Sequence, residues 1–279
     1  MTRRLVRALA AGAFAAAAVA GVTAPAAAAP ARTAPSATVD FSGTVALSNC
    51  SGSIVRVPSA ADTDPALILT NGHCIETGFP SAGEVIVDQP SSRTFSVLGS
   101  DGSDLGSITA SKVAYSTMTD TDVTLYQLTS TYADIQSEFG ISALSLETTH
   151  PSQGTDIRVV SGYWKTIYSC NIDGFAYQVK EGEWTWKDSV RYTQPCQVIG
   201  GTSGSPVVNA DTGTVVAVNN TTNENGEQCT LNNPCEVDEG GNVTVHEGTG
   251  YAEETYILAS CITGSTVNLD DPNCQLPRP

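Results

Sequence analysis

Short apolar or alternating runs recur along this chain, separated by clusters of Gly, Pro, Asn, Asp and Ser. In the first half they fall at 45–47, 53–57, 66–69, 84–87, 95–98 and 123–126. In the second half they fall at 157–160, 175–179, 190–192, 207–208 and 214–218. Runs this short, rich in Val, Ile, Leu and Tyr, predict strands rather than helices. Gly182 in Lys180-Glu181-Gly182-Glu183 predicts a tight turn between two of them. Trp184 and Trp186 share one strand face and read as packing. Helical signals are confined to 132–139 and a closing turn near 255–261. Residues 219–250 are polar, acidic and rich in Asn and Gly, and read as a long loop. Evenly spaced short strands of this kind mark an all-β sandwich or barrel.

The N-terminus departs from that pattern. Arg3, Arg4 and Arg7 precede an apolar run at 8–22, and Ala26 to Ala29 offer small residues for cleavage. Residues 1–29 therefore read as a signal peptide, with a membrane anchor as the rejected alternative. Residues 30–40, rich in Ala, Pro, Ser and Thr at their start, read as a linker or short propeptide. A secreted, extracellular chain is expected, with about 250 residues left after cleavage, enough for one large all-β domain or two small barrels.

Composition narrows the partners. The 29 acidic residues outnumber the 13 basic ones, giving a net charge of −16. Loss of the three signal arginines makes the remainder more acidic still. Such a charge argues against nucleic acid and anionic membranes. All eight cysteines (Cys50, Cys74, Cys170, Cys196, Cys229, Cys235, Cys261 and Cys274) lie beyond the signal. An even count in an exported chain predicts disulfides, and neighbour pairing along the chain is the simplest of the many connectivities. No tight Cys/His spacing supports a metal site, so neither metal nor other cofactor is expected. A monomer is expected.

The chemistry centres on Gly201-Thr202-Ser203-Gly204-Ser205-Pro206. Small residues there let backbone N–H groups turn towards a substrate. A serine hydroxyl needs a base and oxyanion donors to act as a nucleophile. Of three histidines, His73 comes soon after the apolar run 66–69 and precedes a cysteine, a rigid mount for a base. His150 and His246 lie in loops and read as surface residues. Asp122 opens the run 123–126 and is the preferred carboxylate to orient His73; Asp120, between two threonines, reads as solvated.

Four segments in order, Cys50-Ser51-Gly52-Ser53, Thr70-Asn71-Gly72-His73-Cys74, Asp122-Val123-Thr124-Leu125 and the Ser203 run, resemble the signatures of chymotrypsin/trypsin-like serine proteases. The likeness is greatest to secreted bacterial members, near the glutamyl endopeptidases. It spans about residues 41–259 and implies two six-stranded antiparallel β-barrels with the site in the cleft between them. The barrels would occupy 41–145 and 146–279, the second carrying the loop 219–250 and a C-terminal tail. The resemblance implies a serine endopeptidase: Ser203 as nucleophile, His73 as base, Asp122 as orienter, and the N–H groups of Gly201 and Ser203 as oxyanion hole. Cys50 and Cys74 would pin the strand carrying His73. Substrates would be proteins or peptides.

Two departures bear on function. Trypsin-like zymogens carry an aspartate just before the nucleophile, where this chain has Thr202, and no Ile-Val-Gly-Gly activation sequence precedes Cys50. Activation by that ion pair is therefore not expected. The substrate pocket would fall at Gln197 and Val198 on its base and Val218, Asn219 and Asn220 on its wall, giving a polar, uncharged pocket of open preference. An α/β-hydrolase is rejected because Ser205 stands where Gly-x-Ser-x-Gly needs glycine and no suitable histidine comes after the serine. A subtilisin-like order needs an aspartate before the histidine in an α/β setting, which the β pattern does not offer. A catalytically inactive barrel used for extracellular binding is the remaining alternative.

Overall fold

The strand pattern is realised in a computed structural model that describes residues 37–279 except Pro195. The expected signal peptide at 1–29 lies outside the described residues. Eight strands form the first half: β1 Thr44–Ala46, β2 Ser51–Arg56, β3 Pro65–Thr70, β4 Val85–Pro90, β5 Thr94–Leu98, β6 Asp104–Thr117, β7 Val123–Thr131 and β8 Leu144–Ser145. The order β1-β5-β6-β7-β3-β2 closes through the β1–β2 pairing, so six antiparallel strands make a barrel with no free edge. β4 runs beside β6, and β8 adds to β2 in parallel. Helix α1, Tyr132–Phe139, starts at a reciprocal cap in which Thr131 accepts from the Asp134 amide and Asp134 accepts from that of Thr131; Gly140 ends it.

The second half repeats the design. Its strands are β9 Asp156–Ser161, β10 Thr166–Glu181, β11 Trp184–Tyr192, β12 Pro206–Asn209, β13 Val215–Thr222, β14 Cys235–Val237, β15 Val243–Thr244 and β16 Gly250–Glu254. The order β11-β16-β13-β12-β9-β10 closes through β10–β11 into a second six-stranded antiparallel barrel. Both barrels and the C-terminal tail belong to one unit, Pro35–Pro279. The tail after α2, Tyr256–Ala259, returns to the first barrel. There Gln127 donates to Ser265 O at 3.1 Å and Tyr115 to Pro277 O at 2.9 Å.

Alternation of buried and exposed positions fills both interiors. Ile54, Leu67, Leu69, Phe95, Val97 and Leu125 are buried in the first. Ile157, Val159, Val190, Val207 and Ala217 are buried in the second. Met118, Ala176, Val179, Trp186 and Tyr251 form a third cluster joining the barrels. All eight cysteines pair with their chain neighbours: Cys50–Cys74, Cys170–Cys196, Cys229–Cys235 and Cys261–Cys274.

Candidate active site

β3 is buried from its second residue onward and delivers the chain to a single 3-10 turn, Gly72–Cys74. The Cys50–Cys74 disulfide ties that turn to the start of β2. Asp122, fully buried, enters β7 beside it. Its two oxygens divide the work. Oδ1 accepts the His73 backbone N–H at 3.0 Å, and Oδ2 lies 2.7 Å from His73 Nδ1. A carboxylate only accepts, so Nδ1 carries the proton and Nε2 is left with a lone pair. Burial, the largest single influence, pulls the His73 pKa down. The charge and hydrogen bond of Asp122, with Glu181 behind them, outweigh it and leave His73 above its ordinary value.

Asp120 is placed differently. Its backbone accepts from Lys187 N and donates to Thr185 O, and its carboxylate meets Lys187 Nζ at 2.8 Å on the surface. It straps β11 to the first barrel and does not face His73.

The Ser203 segment is shaped by two tight turns. Thr202 N–H donates to Ile199 O at 3.0 Å, with Gly201 at φ +89° between them. That φ suits glycine alone. Gly204, at φ +78°, sits so close to β2 that a Cβ would stand 2.1 Å from Ser51 O. Ser203 O accepts from Ser51 N at 2.8 Å, so the first barrel fixes the serine of the second. Ser203 Oγ donates to Asn220 O at 3.2 Å and makes no bond to His73. Among the described residues, neither Gly201 N–H nor Ser203 N–H has an intramolecular acceptor. Thr202 Oγ1 donates to Ile199 O at 2.5 Å and accepts from Asn219 Nδ2 at 3.1 Å. Its hydroxyl thus braces the turn locally, where the zymogen aspartate would need an amine.

His73, Asp122 and Ser203 share one cavity of about 230 Å³. Of the five expected pocket residues only Asn220 lines it. Val198 and Val218 point into the cores, Asn219 is buried against Tyr192 and Thr202, and Gln197 is exposed outside it. β13 loses its regular register between Asn219 and Thr221, and from that irregularity onward Asn220, Thr221 and Thr222 all line the cavity while Val218 and Asn219 before it do not. The expectation of an uncharged pocket is also corrected, because Glu181 and Glu224 both line the cavity.

Glu181 ends β10, and its side chain is reached through the unusual length of that strand. Oε1 accepts from Asn232 N at 2.8 Å, while Oε2 is buried with no hydrogen-bond partner. Burial raises its pKa against the pull of the Thr221 hydroxyl, the Asn232 amide and His73. Trp184 and Trp186 face the same cavity as well as packing. Trp184 donates to Pro80 O at 2.9 Å and Trp186 to Met118 O at 3.2 Å. The stretch 219–250, expected as one long loop, instead holds the end of β13 and the strands β14 and β15, and its β13–β14 connection supplies Leu231 and Asn232 to the wall, inside the span pinned by Cys229–Cys235. Behind Asn220, Glu253 accepts from Asn220 Nδ2 at 3.0 Å and Ser189 Oγ at 3.2 Å. Burial, the main cause, pushes it up to about 8. Sequence reasoning missed Asn71, Glu181 and Glu253. The turn glycine after Glu181 was the one available signal.

Residues 50–218, a span holding His73, Asp122 and Ser203, match the trypsin-like peptidase domain family. No curated protein matches the sequence. Among solved structures the chain is similar to the MamO protease domain from Magnetospirillum magneticum, at 14% identity and TM-score 0.49, covering 80% of this chain and 96% of that one. It is similar to the Rv3671c protease from M. tuberculosis in its active form, at 15% identity and TM-score 0.46, covering 85% and 82%. It is also similar to the HtrA-type protease AlgW with a decapeptide, at 15% identity and TM-score 0.46, covering 75% and 49%.

Proposed function

The chain belongs to the trypsin-like peptidase domain family and is a serine peptidase; we propose that it is a secreted endopeptidase cutting proteins or peptides through Ser203, His73 and Asp122. The observation that carries the assignment is the 2.7 Å contact of His73 Nδ1 with buried Asp122, which aims a basic Nε2 at the cavity holding Ser203. Rotation of Ser203 about χ1 exchanges the Asn220 carbonyl for Nε2. The hydroxyl then attacks the scissile carbonyl carbon as its proton passes to Nε2, and Asp122 stabilises the imidazolium. The tetrahedral oxygen is held by the unengaged N–H groups of Gly201 and Ser203. Collapse breaks the C–N bond, and His73 returns the proton to the leaving amine. Water then repeats the sequence on the acyl-enzyme.

The cavity's carboxylates define the preference we propose. Glu181 keeps an unpartnered, buried oxygen, Glu224 stands nearby, and among the described residues no Lys or Arg lines the wall. Phe79, Trp184 and Leu231 add apolar surface for an alkyl stem. A basic side chain of the substrate fits this combination, since it buries its stem and brings a cation to Glu181. An acidic side chain, as glutamyl endopeptidases take, would be repelled. Export is supported by the basic-then-apolar N-terminus and by four disulfides.

The assignment is tested by incubating wild type and Ser203→Ala with a random peptide pool and reading cleavage sites by mass spectrometry. Loss of all cleavage in Ser203→Ala supports the endopeptidase. Equal cleavage by both removes Ser203 as nucleophile, and no cleavage by either favours a binding protein.

A further inference from the structure

Away from the active-site cavity, three polar groups from separate segments converge. His150 lies in the connection before β9, Asp188 on β11 and Glu254 at the end of β16. His150 Nε2 stands 3.1 Å from Glu254 Oε1 and 3.2 Å from Asp188 Oδ2. The three atoms lie within 4.8 Å of one another.

Their chemistry turns the free nitrogen of the histidine towards the two carboxyl groups. His150 Nδ1 is 2.7 Å from Pro151 O. A carbonyl only accepts, so Nδ1 holds the proton, and in the neutral ring Nε2 turns a lone pair towards two carboxylates. Glu254, its side chain 2% exposed, keeps Oε1 buried without a hydrogen bond.

We propose that His150, Asp188 and Glu254 bind a divalent transition-metal ion, with Zn²⁺ the best fit. Hard cations such as Ca²⁺ and Mg²⁺ take oxygen ligands, whereas an imidazole beside two carboxylates suits zinc. Zinc bonds of about 2.0–2.1 Å in a tetrahedron set ligand atoms about 3.3 Å apart. The two measured separations from Nε2 are close to that edge. The outer contacts also match a metal-binding histidine, whose second nitrogen donates to a backbone carbonyl. Phe175 and Tyr256 hold the ring, at centroid distances of 4.3 and 5.4 Å, and Tyr256 donates to Asp188 Oδ2 at 3.3 Å. His150 and Asp188 are 41% and 47% exposed, which gives the ion a path in and water a fourth position. Bound metal would staple the segment between the barrels to β11 and β16.

The test uses the purified chain stripped with EDTA and titrated with ZnCl₂, read by calorimetry and by thermal unfolding. One ion per chain and a saturable rise in Tm are expected, and Co²⁺ in its place should give tetrahedral absorption bands. His150→Gln and Asp188→Asn change exposed side chains and should leave cleavage by the metal-free protein intact. Each should weaken Zn²⁺ binding by about 10–100-fold or more. Absence of a calorimetric or Tm response in wild type overturns the site and leaves a protonated His150 paired with its carboxylates. Undiminished affinity in both variants overturns it too, by moving the ion elsewhere, as to His73.

Discussion

The Gly204 amide donates to Asn71 Oδ1 across the cleft, at 2.5 Å. The same Asn71 side chain donates from Nδ2 to Asp122 O at 2.8 Å. One buried amide two residues before His73 therefore ties the aspartate's backbone to the turn that carries Ser203. The three groups of the candidate site come from both barrels, and this link sets their mutual spacing.

Asn71→Ala should break that spacing without touching a reacting atom. It leaves Asp122 O without its donor, while Gly204 N keeps its 2.9 Å bond to Asn219 O. The expected loss of stability is about 1–3 kcal/mol, measured by urea unfolding. kcat should fall more than KM rises, because the cavity wall is unaltered. Asn71→Asp should fail as well, since it can accept from Gly204 but cannot donate to Asp122 O. Full activity in Asn71→Asp would show that the Asp122 link is idle.

Asp122 and Asp120 differ in the work their carboxylates do, although they stand two residues apart. Asp122→Asn keeps the shape but puts an amide opposite Nδ1, which favours the wrong tautomer. kcat should drop about 10⁴-fold. Asp120→Asn removes a surface ion pair with Lys187 and leaves the backbone strap, so the change should be within about 1 kcal/mol of stability and near zero in kcat. Comparable kinetic losses from both variants would contradict the division drawn from their contacts.

The sequence carries the barrels and the three polar groups unequally from the cavity around them. Each barrel strand that buries one clean apolar face leaves its own local pattern. β6 does not, because its outward positions are Ser, Thr and Lys and its 14 residues cross a polar stretch. β16 hides for another reason: Gly250–Glu254 begins at the end of the polar stretch 219–250 and carries two glutamates, yet both are buried. His73, Asp122 and Ser203 each sit in a short segment whose neighbours identify it. The cavity wall has no such signature. It arises where the β10–β11 hairpin reaches over to Phe79 and the β13–β14 connection folds back on Glu181, contacts between residues far apart in the chain.

Glu181→Gln keeps the hydrogen bond from Asn232 and removes the charge. A preference for Lys or Arg over an uncharged side chain should shrink about tenfold in kcat/KM, equivalent to about 1.4 kcal/mol. The variant should also move the acid limb of the pH–rate profile downward, because Glu181 helps to hold His73 above its ordinary value. Peptides differing at one position, assayed from pH 5 to 9, read both effects. An unchanged preference with a shifted limb would separate the electrostatic role of Glu181 from substrate choice.

Glu253 gives stability a pH dependence of predictable sign. Its carboxyl ionises near 8 in the folded protein against an ordinary value of 4.5. Between those values the unfolded chain releases a proton that the folded chain retains, so rising pH favours unfolding. The contribution is complete below 4.5 and is lost as pH climbs through 8, at up to about 1.4 kcal/mol per pH unit for one proton. His73 adds a slope of the same sign from its own raised value, so the comparison must be with a variant and not with wild type at another pH. Glu253→Gln retains an acceptor for Asn220 and Ser189 but does not titrate. Its unfolding free energy relative to wild type should therefore rise steadily from pH 4.5 to 8 and level off above. A difference that stays flat across that range would mean that Glu253 does not hold its proton behind Asn220.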